Sequence, residues 1–333
     1  MDFATGFATG WAMGKKMFEG GGGGNDYINN DPDYALYKAM PDPDTNQLTI
    51  LIRVAEGNTL VDCISAYYVP EAENISDDGE VIIDWGDGTT SGIGVALTRG
   101  AHTYSTAGDY IITVTIKSEK IYSIKYYDFE HKSYTIALKI GSSVRYDDSG
   151  TDKRITTKFK YIQFSADYFW KDNFIFDAST LRQLTRVDFL GGYKPKKIAD
   201  NVFNGCYALD FHSLMSLFSE VEEVGNNTFM YCYNLKQISL PNCLKVGNFT
   251  IYQCYGLEYV DIPKCTEIGE RSIYMNYALK EVNIPMCNTV GAYGLAYNTI
   301  LNKINISNSC NYGKNAMQGC NCLIPTPNGI YPY

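Results

Sequence analysis

Three hydrophobic periods succeed one another along the chain. Residues 3–14, FATGFATGWAMG, repeat every four positions. Wound as a helix, they set Phe3, Phe7 and Trp11 on one ridge, Gly6, Gly10 and Gly14 on a second, and Ala4, Ala8 and Ala12 on a third. So short and Gly-rich a helix is marginal alone and needs a partner to order it. At about 1.5 Å per residue it also falls short of a ~30 Å hydrocarbon core, which disfavours membrane insertion. Gly20–Gly24 then form a flexible tether, so residues 1–24 read as a docking peptide on a string, with a frayed terminus as the plain alternative.

The second period is strict alternation. Leu48–Val54 (LTILIRV), Val81–Thr89 (VIIDWGDGT) and His102–Ile116 (HTYSTAGDYIITVTI) combine apolar strands, a D-G turn and the alternating Tyr110, Ile112, Val114 and Ile116, which predicts an antiparallel sandwich. Asp84, Asp87 and Asp109 have the residue type of a calcium site, but Asx-type turns that hold their own backbone explain them more simply. Residues 117–197 are mixed. Tyr122–Tyr127 and Tyr134–Ile140 read as strands of a bridge or N-terminal cap, and Leu181, Leu184, Val187 and Phe189 as a degraded repeat.

The third period is a 22-residue repeat. Units begin at Val224, Val246, Ile268 and Val290, with partial copies from Ile198 and Tyr312. Within each, L-x-x-[IV]-x-[IL]-P is a short strand, as in Leu235, Ile238, Leu240 and Pro241. No unit encloses its own apolar side; stacking units at about 4.8 Å does, and gives an elongated solenoid over residues 198–333. Pro325, Pro327 and Pro332 would close its far end.

The repeat columns separate packing from candidate recognition. Cys206, Cys232, Cys254, Asn276, Asn298 and Cys320 share one position, which fits small side chains hydrogen-bonding a turn backbone and does not fit a metal column. Cys243, Cys265 and Cys287 form a second column, read as packing. Tyr207, Tyr233, Tyr255 and Tyr277 form a third, either a self-stacking ladder or an exposed aromatic strip. If Ile238 and Leu240 point inward, then Gln237 with Ser239, Tyr259 with Asp261, Glu281 with Asn283, and Lys303 with Asn305 point outward. No repeat consensus dictates these eight, so they are the candidate binding residues, against the plain reading of a solvated sheet face.

Composition narrows the function classes. The net charge of −9 offers no basic field for phosphates and disfavours nucleic acid as a partner. Tyr is in surplus, 28 against 15 Phe, as on surfaces that bind. Nine of the ten Cys follow residue 200 and most sit at repeat positions, which predicts reduced structural thiols, no zinc and no cofactor. His102, His131 and His212 lack a nucleophile in a recognisable setting, and Asp147 with Asp148, like Glu222 with Glu223, sit in polar stretches. The glycine run has neither the preceding strand nor the Lys-Ser/Thr ending of a phosphate loop. These residues predict no enzyme. The start lacks the order of a signal peptide, Lys15 and Lys16 following the apolar stretch, and predicts synthesis in a cytosol.

Two resemblances add to this. D-W-G-D-G-T, followed by H-x-Y and G-x-Y-x-x-x-V, resembles a polycystic kidney disease (PKD) domain over residues 46–116, which implies an Ig-like, non-catalytic spacer or adhesion module. The 22-residue unit resembles the BspA-like leucine-rich repeat, and the two in this order resemble surface proteins of gut bacteria and virion proteins of their phages. The expected fold is therefore mainly β: a short helical docking peptide, a sandwich, then a leucine-rich-repeat solenoid. The expected function is a phage virion protein, associated with tail or baseplate. Residues 1–18 would bind other virion proteins, and the solenoid a host cell-surface glycan or protein. A capsid decoration or head-fibre protein is the nearest rival, and a bacterial cell-surface adhesin lacking its leader the rival of a different class. Monomers and homo-oligomers fit equally.

Overall fold

Alternation in the N-terminal third folds into two sheets that share one core. The computed structural model describes residues 31–57, 59–68, 81–93, 99–117, 121–126, 133–141, 144, 159–164, 183–189, 194–209, 214–215, 218–322, 324–326 and 329–331. The tetrad repeat with Phe3, Gly6, Phe7, Gly10, Trp11 and Gly14 lies outside these residues, as do His131, His212, Asp147 and Asp148. The strands are β1 (Gln47–Val54), β2 (Thr59–Tyr68), β3 (Val81–Asp84), β4 (Thr90–Ile93), β5 (Arg99–Tyr104), β6 (Gly108–Ile116), β7 (Ile121–Tyr126), β8 (Ser133–Ile140), β9 (Tyr161–Phe164) and β10 (Arg186–Phe189). One sheet runs β10-β9-β8-β1-β6-β3-β4 and the other β5-β2-β7. Leu48, Ile50 and Ile52 of β1 meet Ile83, Ile112 and Val114 of their own sheet and Val61, Ile64 and Tyr104 of the other. Trp85 is buried among them, its indole N–H donating to Ser91 Oγ at 2.9 Å, while the Tyr104 hydroxyl donates to the Trp85 carbonyl at 2.8 Å. The predicted sandwich is present; β2, whose alternation is irregular, went unpredicted.

The stretch expected as a bridge joins both sheets of the sandwich: β7 pairs with β2 in the smaller one, and β8, β9 and β10 extend the larger. Pairing is antiparallel from β1 to β8, then parallel from β8 to β9 and from β9 to β10. Leu138, Ile162 and Val187 form one row across these strands, and Ile140, Phe164 and Phe189 the next. Phe159, Ile162 and Phe164 have the spacing of Leu184, Val187 and Phe189, and of the later Leu235, Ile238 and Leu240. All are buried in one continuous core. Coiling therefore begins inside the sandwich sheet, ahead of residue 198.

A helix that the sequence reading did not foresee, α1 (Pro32–Ala39), covers the outer face of this junction. Asp31 caps it, accepting the Asp33 N–H at 2.9 Å, with Pro32 at its first position. Eight residues carry too little propensity to hold a helix. Burial of Tyr37 and Met40 against Leu51, Ile136, Ala137 and Tyr161 holds it. Around that apolar centre Tyr37 donates to Asp188 (2.9 Å), Tyr161 to Asp31 (2.7 Å), Arg53 to Asp33 (2.9 Å), and buried Lys139 to Asp42 (2.9 Å) and the Met40 carbonyl (2.8 Å). Lys160 pairs with Asp33.

Beyond β10 the coils are three-sided, with parallel, in-register rows along each side. One row is Gln237–Ser239, Tyr259–Asp261, Glu281–Ile284 and Lys303–Ile306. A second runs from Lys197–Ile198 through Glu223–Val224, Lys245–Val246, Glu267–Ile268 and Thr289–Val290 to Asn311–Tyr312. The third is Ile251–Tyr252 with Ile273–Tyr274. Coils meet so closely at one corner that a Cβ on Gly247 would lie 2.7 Å from the Gly225 carbonyl carbon, so only glycine fits there. Ile324–Thr326 and Gly329–Tyr331 pair as an antiparallel hairpin at the C-terminal end.

Candidate functional site

The inward columns belong to the fold. Cys232, Cys254, Asn276, Asn298 and Cys320 each donate to a carbonyl of the preceding coil, those of Phe203, Phe229, Ile251, Ile273 and Leu295, at 2.8–3.1 Å. The two asparagines do more, accepting the N–H of Cys254 (2.8 Å) and of Asn276 (2.9 Å) across the coil boundary. Cys243, Cys265 and Cys287 are buried and directed at the carbonyls of Lys245, Glu267 and Thr289 at 3.2–3.3 Å. Burial pushes the Cys243 and Cys254 thiols up to about 12, so neither is a poised nucleophile.

The strand face carries the eight predicted residues in two columns. Gln237, Tyr259, Glu281 and Lys303 are in register, and so are Ser239, Asp261, Asn283 and Asn305. Much of this surface is paired with itself. Asn305 donates to Asn283 (2.8 Å) and Asn283 to Asp261 (2.7 Å), while Lys303 meets Glu281 (2.6 Å) and, alongside, Lys280 meets Glu258 (2.6 Å). Exposed pairs of this kind are worth little individually. Tyr259, 42% exposed, is the aromatic group the face offers.

The turn face is richer. Tyr207, Tyr233, Tyr255 and Tyr277 stack as a ladder with centroids 4.8, 5.1 and 5.5 Å apart. Beside it runs a second row, Tyr231, Tyr252, Tyr274 and Tyr297, with centroids 5.9, 5.1 and 5.4 Å apart. Tyr231 joins the two rows, 6.5 Å from Tyr233. Phe249 flanks Tyr252 at 5.9 Å, and the Arg271 guanidinium lies over both Phe249 (5.7 Å) and Tyr293 (5.0 Å). Burial raises the phenol pKa of Tyr231, Tyr252, Tyr274 and Tyr277, so all are neutral donors at ordinary pH. Column-by-column reading missed the second row because it switches position: Tyr252 and Tyr274 stand one place earlier in their units than Tyr231 and Tyr297. A search for one aromatic per unit within two adjacent places would have found it.

The backbone under this face is left-handed at two places in each coil. Asn201, Asn227, Phe249, Arg271, Tyr293 and Asn315 share the first; Tyr231, Gln253, Met275 and Tyr297 share the second with Gly205 and Gly319. Asn and Gly are what such a φ favours, and they occupy mainly the outer coils. The inner coils instead hold Phe249 (φ 54°), Arg271 (46°), Tyr293 (56°), Tyr231 (61°) and Tyr297 (57°), each at a cost of about 1–2 kcal/mol.

The acids of the sandwich are committed to structure. Asp84 accepts the Gly86 N–H at 2.9 Å and Asp87 the Thr89 N–H at 3.0 Å, both as Asx turns. Asp109 departs from that expectation: it pairs bidentately with Arg53 at 2.7 and 3.1 Å. His102 shares a 2.7 Å hydrogen bond with Asp87 and stacks on Trp85. Glu222 and Glu223 pair across rungs with Lys196 (3.3 Å) and Lys197 (3.1 Å). Among the described residues no three His, Cys, Asp or Glu converge as metal ligands would, and no helix there is long and apolar enough to cross a membrane.

Comparison with known proteins bears on the solenoid. No curated protein matches the chain. Among solved structures, a leucine-rich repeat protein from Bacteroides ovatus is similar at 20% identity and a TM-score of 0.41, covering 58% of this chain and 47% of that one. This chain thus spans about half the length of that relative. A leucine-rich repeat protein from Eubacterium ventriosum is similar at 13% identity and a TM-score of 0.32, covering 58% of this chain and 68% of the other. The family model of the BspA type leucine rich repeat region matches six times over residues 196–324. That stretch, with its parallel in-register coils, is an array of BspA-type leucine-rich repeats.

Proposed function

We propose that this chain is a non-enzymatic binding protein in which the sandwich, whose D-W-G-D-G-T turn resembles that of PKD modules, is a spacer and the solenoid engages a host cell-surface glycan or protein. One observation carries the reading. The inward columns are spent on the fold, whereas the outward positions vary from coil to coil on an unvarying scaffold, which is how solenoids carry recognition. Within this class we favour a phage virion protein, tail or baseplate-associated, held on the particle through residues 1–18. The nine cysteines from Cys206 to Cys322, all free and buried, support folding in a reducing compartment, and the tetrad repeat supports docking.

Fluorescently labelled full chain should bind intact bacteria of a susceptible strain saturably, and excess unlabelled chain should displace it; linear, non-displaceable uptake across a strain panel contradicts the reading. Antibodies against the chain should label tails of intact particles. Labelling of heads alone selects a capsid decoration or head-fibre protein, and labelling of bacterial envelopes a surface adhesin.

A further inference from the structure

The turn face pairs two independent features. Four successive coils each deliver one ring to a single row, Tyr231, Tyr252, Tyr274 and Tyr297, although no one repeat position is aromatic throughout. The same face forces large side chains into left-handed backbone at places where Gly205, Gly319, Asn201, Asn227 and Asn315 show what the turn itself prefers. Strain of this sort persists where function requires the side chain. The ladder of Tyr207, Tyr233, Tyr255 and Tyr277 is periodic and stacks on itself, so packing accounts for it. Phe249, Tyr293, Tyr231 and Tyr297 touch neighbouring rings or Arg271, and Tyr293 accepts from Asn315, yet Gly and Asn at the same places in other coils show that the turn itself does not need them.

We propose that this turn face binds an uncharged polysaccharide, laid along the solenoid axis. The inference rests on the binding reading above and names its site and ligand class. Three observations select the occupant. The rings recur at 5.1–5.9 Å along the axis, which suits a ligand made of repeating units more than an aperiodic protein surface. The Arg271 guanidinium that crosses the face is paired with Glu270, and a chain of net charge −9 gives an anionic polymer no attraction. Tyrosines are uncharged and amphipathic, and these are partly exposed. Tyr252 and Tyr274 stack on each other while Tyr231 and Tyr297 stand nearly perpendicular to them, so ring edges and the two perpendicular rings meet sugar C–H groups while the hydroxyls meet sugar hydroxyls.

The strained backbone supplies a test that separates ligand binding from packing. Tyr231→Gly, Phe249→Asn, Tyr293→Asn and Tyr297→Gly replace four rings with the residues that other coils carry at the same places. The full chain carrying all four should melt at an unchanged or higher temperature than the parent. In native gels containing dextran, yeast mannan or a soluble β-glucan, at least one polymer should retard the parent, and the variant should lose at least about tenfold in affinity for it. Should the fourfold variant fail to fold, the pair Tyr231→Gly and Tyr297→Gly carries the same expectation. No retardation by any neutral polymer, retardation only by polygalacturonate or heparin, or equal retardation of parent and variant overturns the site. Equal binding of both to bacteria also overturns it while leaving the binding reading intact. Loss of gel retardation in the variant, with no cell binding by the parent, supports the site and overturns the host-binding reading.

Discussion

Asn276 and Asn298 do the work of two groups in a column otherwise filled by Cys. Each donates to a carbonyl one coil back and accepts an N–H from that coil, so removing the side chain orphans two buried backbone groups. An unsatisfied buried group costs about 1–3 kcal/mol. Asn298→Ala should therefore destabilise the chain by roughly 2–5 kcal/mol in urea titration, and Asn298→Cys by distinctly less, because a thiol keeps the carbonyl bond as Cys254 and Cys320 do. Equal losses would mean that the amide contributes only volume. This column was legible in the sequence because one repeat position maps to one place in space. Asp109 was not: a carboxylate next to a turn reads as an Asx group until the fold brings Arg53 across from the neighbouring strand.

At the level of elements, α1 is the part local sequence could not reveal, since its order comes from contacts with Asp188, Lys139 and Tyr161 far along the chain. Its attachment is partly ionic. Burial opposes ionisation of Asp33, yet Lys160 and Arg53 outweigh it and hold the carboxyl below its ordinary value of 3.8; hydrogen bonds from Gln163 and Lys139 do the same for Asp42. Depressed native pKa values contribute stability that is complete above the unfolded value and lost as pH falls through the native one. Hydrogen-exchange protection of residues 33–40, corrected for intrinsic rates, should thus stay level from pH 7 to about 5 and decline below about 4. A decline already between pH 7 and 5 would show that other groups hold the helix. Tyr37→Ala, which empties the apolar centre, should cost on the order of 3–5 kcal/mol of local stability and remove that protection at every pH.

For the whole molecule, the shared sheet matters most. The hydrophobic patterns marked a sandwich and a solenoid correctly, but the strand that joins them, β8, reads as one more alternating strand, and its parallel partner β9 is four residues long. Only the register shows that Leu138 and Ile140 belong to both bodies. Leu138→Ala should cost about 2–5 kcal/mol and, in urea-dependent hydrogen exchange, lower the transition of peptides from β1, β3 and β6 together with that of peptides from the coils over residues 224–306. A shift in one signal alone would mean that the sheet does not couple them. The same rigidity gives the candidate faces a fixed presentation. The strand face was legible because its columns sit at single repeat positions; the second tyrosine row was not, because two adjacent positions share it.

The turn-face site is tested most directly by hydrogen–deuterium exchange of the full chain with and without a neutral polysaccharide that retards it. Added protection is predicted in peptides spanning 227–233, 249–255, 271–277 and 293–297, the left-handed turns beneath the aromatic rows, with residues 237–239, 259–261 and 281–284 unchanged. Protection of the strand face or of the sandwich, or of neither while the turns stay unprotected, would contradict it.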